Sequence, residues 1–112
     1  MVMNKSVWNN VLIMWKEMAD KGYIYKDEYF RAYPKLKVPQ YSCFFCEEVD
    51  EEYGTGVRCS EINCDIYACI ETPFSDWTSV VTKRECKKHA TRFYKWLLDR
   101  YEELFGEAWG GV

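Results

Sequence analysis

The chain has one histidine, three prolines and no long apolar run, and each shortage excludes something. A nuclease of the His-Asn-His type needs a catalytic histidine and usually a second one on its metal; this chain offers His89 alone. Cys86 and His89 could pair as nucleophile and base, but neither an orienting third group nor an oxyanion site accompanies them. No catalytic residue is therefore assigned, and the chain is read as a non-enzyme. The longest apolar run near the N-terminus, Val11 to Trp15, is five residues. A signal peptide needs about 7–15 apolar residues, and a membrane span roughly 20. The expectation is a soluble cytoplasmic protein with no membrane partner, whose thiols are reduced or metal-bound. Internal repeats and low-complexity runs are absent. Neither sign of charge dominates: 15 basic and 18 acidic residues leave a net charge of -3, which gives no global pull toward nucleic acid.

What the chain does have is aromatic rings and thiols. Its 112 residues suit a single domain. Aromatic residues make up 18% of them, which argues against disorder. Val7, Val11, Met14 and Met18 recur at helical spacing with Trp8, Leu12 and Trp15 one step round, predicting a packed helix over 6–21 with Ser6 as N-cap and Gly22 just past its end. Asp27 to Ala32 reads as a short helix, and Lys35 to Gln40 as an extended connector. Thr82 and Glu85 fit a capping box. After them Cys86, Ala90, Phe93, Leu97, Tyr101 and Leu104 share one face, predicting a helix over 83–105 that ends at Gly106. Between these helices, residues 42–80 read as a loop-rich segment with two short strands, 44–53 and 57–59, joined by a turn at Gly54-Thr55-Gly56. The expected fold is α+β and mostly helical: two packed helices holding a zinc-stapled central region.

Five of the six cysteines lie in that region. Cys43 and Cys46 form a C-x2-C pair, a spacing that lets two thiolates reach one tetrahedral ion from a tight turn. Cys59 and Cys64 follow in a C-x2-C-x12-C-x4-C series close to ribbon spacing. The expected structural zinc is held by Cys43, Cys46, Cys59 and Cys64. Cys69, Cys86 and His89 are the alternative ligands; Cys43, Cys46, Cys86 and His89 would make a treble-clef-like set, with the helix dipole favouring thiolate at Cys86.

Charge is segregated. Glu47 to Glu71 holds eight acids against Arg58, and Lys83 to Arg100 holds seven bases against Glu85 and Asp99. Two candidate binding surfaces follow: the acidic run Glu47, Glu48, Asp50, Glu51 and Glu52, and the basic face Lys87, Lys88, Arg92 and Lys95.

Cys43-x2-Cys46, Cys59, Cys64 and then Cys69-Ile-Glu-Thr-Pro-Phe-Ser-Asp-Trp77, ahead of a helix near Ala90, resemble a group of short Cys-rich proteins of tailed bacteriophages. Here four residues rather than two separate Cys59 from Cys64. The resemblance covers about residues 42–98 and implies a small phage-encoded, metal-binding protein of the host cytoplasm. The expected function is interaction with a host protein, one version being inhibition of a defence or regulatory protein. The alternative is nucleic-acid binding through the basic helix, with Tyr94 and Trp96 as stacking groups.

Overall fold

The computed structural model describes residues 4–39, 43–53 and 72–110, and of positions 46, 49, 50, 52 and 53 the backbone alone. Among the described residues the elements run α1 (Lys5–Lys21), α2 (Lys26–Ala32), α3 (Phe44–Tyr53), α4 (Phe74–Thr78) and α5 (Lys83–Phe105).

The long helices begin and end where local chemistry satisfies their orphan backbone groups. α1 starts at Asn4, whose Oδ1 accepts the Val7 amide at 3.2 Å; Ser6, the expected cap, instead donates its hydroxyl to Asn4. α5 starts at Thr82, whose Oγ1 accepts the Glu85 amide at 3.2 Å. The other half of the expected box differs, because the Glu85 carboxylate meets the Thr82 hydroxyl at 3.1 Å. Gly22 and Gly106 close the two helices in the left-handed region, at φ 69° and 71°, and each sends its N–H back to a last-turn carbonyl. A side chain would crowd the backbone in that conformation, so glycine fits both ends.

α1 and α5 lie antiparallel. At one end Gly22 abuts Lys83 and Lys87; at the other Lys5 pairs with Glu107. Between them Trp8, Leu12, Met18, Cys86, Ala90 and Leu97 are fully buried. Trp15 sits edge-on to Phe74, Trp77 and Phe93 at centroid distances of 5.8, 5.1 and 4.8 Å. Trp8 packs likewise on Phe45 at 4.8 Å and Tyr101 at 6.1 Å. Edge-to-face rings add roughly 0.5–1.5 kcal/mol per pair beyond area burial, so this interlock holds the helices in register.

The centre of the chain departs from expectation. Residues 44–53 form helix α3, and no strand occurs among the described residues, so the α+β reading is replaced by an all-helical one. The segment FFCEEVDEEY contains neither Gly nor Pro and has four glutamates, good helix formers. Phe45, 2% exposed against Trp8, supplies the tertiary anchor a short helix needs. The Gly54–Gly56 turn and the 57–59 strand lie outside the described residues. Thr72 and Pro73 likewise open a helix, not irregular loop: Thr72 Oγ1 accepts the Phe74 amide at 3.2 Å, and α4 then lays Phe74 and Trp77 on Trp15. Among the described residues no helix is long and apolar enough to cross a membrane.

Candidate functional site

Cys43 is the residue before α3, half-buried against the core, and its carbonyl accepts the Glu47 amide at 3.1 Å. Cys46 follows within the first turn of the same helix. The pair is thus carried by the start of a helix instead of the expected knuckle turn. Cys59, Cys64 and Cys69 lie outside the described residues.

Cys86 sits in different surroundings. Its side chain is fully buried and its thiol lies 3.9 Å from the Val80 carbonyl. Burial pushes its pKa up, and Glu85 and Glu28 push it further. The expected help from the helix dipole is outweighed, because desolvation and two carboxylates oppose the thiolate. His89 is half-buried on the same helix, and its Nδ1 is buried without a partner among the described residues. Cys43, Cys86 and His89 are not gathered: among the described residues no three His, Cys, Asp or Glu side chains could hold a metal ion.

The basic candidates form a coherent surface. Cys86, Ala90, Phe93 and Leu97 face inward, which leaves Arg84, Lys88, Arg92 and Lys95 along the outer stripe of α5, all exposed, with Lys83 and Lys87 beside them. Arg92 has a long ion pair with Asp76 at 3.9 Å; among the described residues Lys83, Arg84, Lys87, Lys88 and Lys95 have none. The stripe turns acidic only after Lys95, at Asp99, Glu102 and Glu103, and the last turn of α5 holds no base. In the first turn Lys83 and Arg84 oppose the helix macrodipole, by about 0.3–1 kcal/mol each, and Glu85 alone goes with it. Arg84 with Lys88 and Lys88 with Arg92 are also like-charge i,i+4 pairs, unfavourable by roughly 0.2–0.5 kcal/mol apiece. Helix stability does not account for the arrangement.

The acidic candidates lie on α3, a helix and not a loop. Glu47 is half-buried and reaches Lys37 at 3.7 Å, Glu48 is half-buried and Glu51 exposed; Asp50 and Glu52 contribute described backbone only. Tyr94 and Trp96, the expected stacking groups, are committed to packing. Trp96 stacks on Phe93 at 6.2 Å, and Tyr94 meets Trp109 edge-on at 6.4 Å.

Two openings flank the C-terminal tail. One of about 290 Å³ is bordered by Ile13, Lys16, Glu17, Asp20 and Trp109. The other, about 380 Å³, is bordered by Lys5, Ser6, Asn9, Tyr101, Trp109 and Gly110. Trp109 closes the space between them, its indole N–H donating to Asn9 Oδ1 at 3.1 Å.

Comparison with protein-family models, with curated proteins and with solved structures found no match. Two surface residues escaped the sequence reading. Tyr25 is 65% exposed and Val81 78%, both in turns between helices, and no periodicity marks them.

Proposed function

We propose that this protein acts without catalysis, by binding a partner protein through the outer face of α5. One observation carries this reading: four bases, Lys83, Arg84, Lys87 and Lys88, crowd the first six residues of a 23-residue helix, two of them in the turn where its dipole disfavours cations, and Arg92 and Lys95 continue the stripe at like-charge spacing. Such a surface gains most when an acidic partner neutralises it, and it would steer association. Nucleic acid is the less favoured partner, because Tyr94 and Trp96 are held in packing and the chain carries a net charge of -3. The bacteriophage resemblance makes a host protein, and inhibition of a defence or regulatory factor, the working identity of that partner.

A structural zinc belongs to the same proposal, held by Cys43 and Cys46 with Cys59 and Cys64. The placement of Cys43 and Cys46 at the start of one helix supports it, and the fully buried side chain of Cys86 in the α1–α5 core favours this set over the one ending in Cys86 and His89. Metal analysis of the purified chain should give zinc, lost on Cys43→Ser; metal-free protein with an unchanged melt would remove the zinc from the proposal.

Affinity purification from host extract tests the interaction. The expected result is one stoichiometric protein, insensitive to nuclease and released near 1 M salt, where the Debye length falls to about 3 Å. Recovery of no protein, or nuclease-sensitive recovery, would overturn it.

A further inference from the structure

Two turns meet at the basic end of the α1–α5 pair. Gly22, closing α1, lies against Lys83 and Lys87 of α5, so close that an added Cβ would be 3.0 Å from the Lys83 carbonyl oxygen. Lys26, opening α2, holds its ammonium 4.7 Å from the ring centroid of Phe74 in α4. Tyr25 stands between those contacts. From the other side, the α4–α5 turn brings Val80, whose carbonyl lies 3.9 Å from Cys86 Sγ. Glu28 fixes the first of these turns: its Oε1 accepts the amides of Ile24 and Tyr25 at 3.2 Å each. Tyr25 and Val81 therefore share one end of the molecule. They are the most exposed of its large apolar side chains among the described residues.

Cations outnumber acids at this end. Lys21, Lys83, Arg84, Lys87 and Lys88 are exposed, and none has an ion pair among the described residues. Asp20, Asp27 and Glu85 are the exposed acids there, and Glu85 bonds within its own helix start, as the half-buried Glu28 does.

We infer that this end is a docking site for an acidic peptide segment carrying an apolar side chain. The inference rests on the protein-binding reading above and names the chemistry of its partner. Val81 offers no ring on which a base could stack, and Tyr94 and Trp96, the rings carried by the basic helix, are half-buried against the core, which favours an acidic peptide over a polyphosphate backbone. Exposed apolar side chains and unpaired cations at the same end of the molecule let burial supply affinity and charge supply orientation.

Binding of the full chain to four probes tests it: a synthetic peptide of glutamates flanking a central Leu-Phe pair, polyglutamate of equal length, duplex DNA, and phosphatidylserine vesicles. The Leu-Phe peptide should bind at least about tenfold more tightly than polyglutamate, the gain expected from burying two apolar side chains. Tyr25→Ala with Val81→Ser should erase that advantage and leave polyglutamate binding unchanged. Arg84→Glu with Lys88→Glu should weaken both peptides. All four positions are exposed, and circular dichroism confirms that the variants fold. Equal affinity for the two peptides, indifference to the Tyr25/Val81 change, or tighter binding of DNA or vesicles overturns the inference. The parent reading is judged separately: Arg84→Glu with Lys88→Glu must abolish the host complex whatever the peptides do.

Discussion

The two ends of the α1–α5 pair are built to opposite rules. At the Trp8 end charges are met and rings are closed in: Lys5 pairs with Glu107, Arg100 with Glu103 at 3.1 Å, and Trp109 folds back to donate to Asn9. At the Gly22 end five cations stand without ion pairs among the described residues, and Tyr25 and Val81 face solvent. Exposure there is not looseness. The backbone at Gly22 is packed hard against Lys83, whereas Gly106 at the closed end has nothing within 4 Å of where a Cβ would go. The basic end thus joins a closely seated backbone to cations without ion pairs among the described residues.

The comparison breaks first at the core both ends share. Trp15→Ala removes a ring that touches Phe74, Trp77 and Phe93 and should cost about 3–5 kcal/mol, measured by urea denaturation; Trp109→Ala, at a half-buried tail, should cost far less. A smaller effect separates the glycines. Gly106→Ala should cost about 1–2 kcal/mol from left-handed strain alone, and Gly22→Ala clearly more, because its Cβ also meets the Lys83 carbonyl oxygen. Equal costs would mean that the basic end is less tightly seated than described. Smaller again, Lys88→Glu should leave the melting temperature unchanged or raise it slightly, as two like-charge spacings are relieved, while partner binding falls.

The smallest effect is alkaline. The hydrogen bond from Tyr33 to Glu17 raises the Tyr33 pKa to about 12, with desolvation and the Glu17 charge acting in the same direction. A raised folded-state pKa contributes stability that is complete below the unfolded value near 10 and is lost as pH rises through about 12. Stability should therefore decline across that window, and Tyr33→Phe should flatten the decline.

The long helices were legible because their signals are local. Apolar spacing, Thr82 and the two glycines sit within a few residues of what they control, and the one misplaced cap, Ser6 for Asn4, is a shift of two positions. α3 was misread for a physical reason. The C-x2-C spacing and the Gly-Thr-Gly that follows both resemble hairpin chemistry, while the helical signal of four glutamates depends on Phe45 finding Trp8, a contact no local pattern records. The basic stripe was visible as composition. Its apolar partners were not, since Tyr25 and Val81 are brought to one end only by the packing of separate turns.

One carboxylate has reach beyond its own helix. Glu17 of α1 accepts from Tyr23 in the α1–α2 turn at 3.2 Å and from Tyr33 at the end of α2. The tyrosines on either side of the short helix α2 thus converge on a single side chain, while Tyr29 and Phe30 bury its inner face in the core. α2, at seven residues, is too short to persist alone, so it should open and close with α1 as one cooperative unit. Amide exchange across Lys26–Ala32 should then speed up when Glu17 is replaced by Gln, as the flanking tyrosines lose a charged acceptor while Tyr29 and Phe30 still hold the helix to the core.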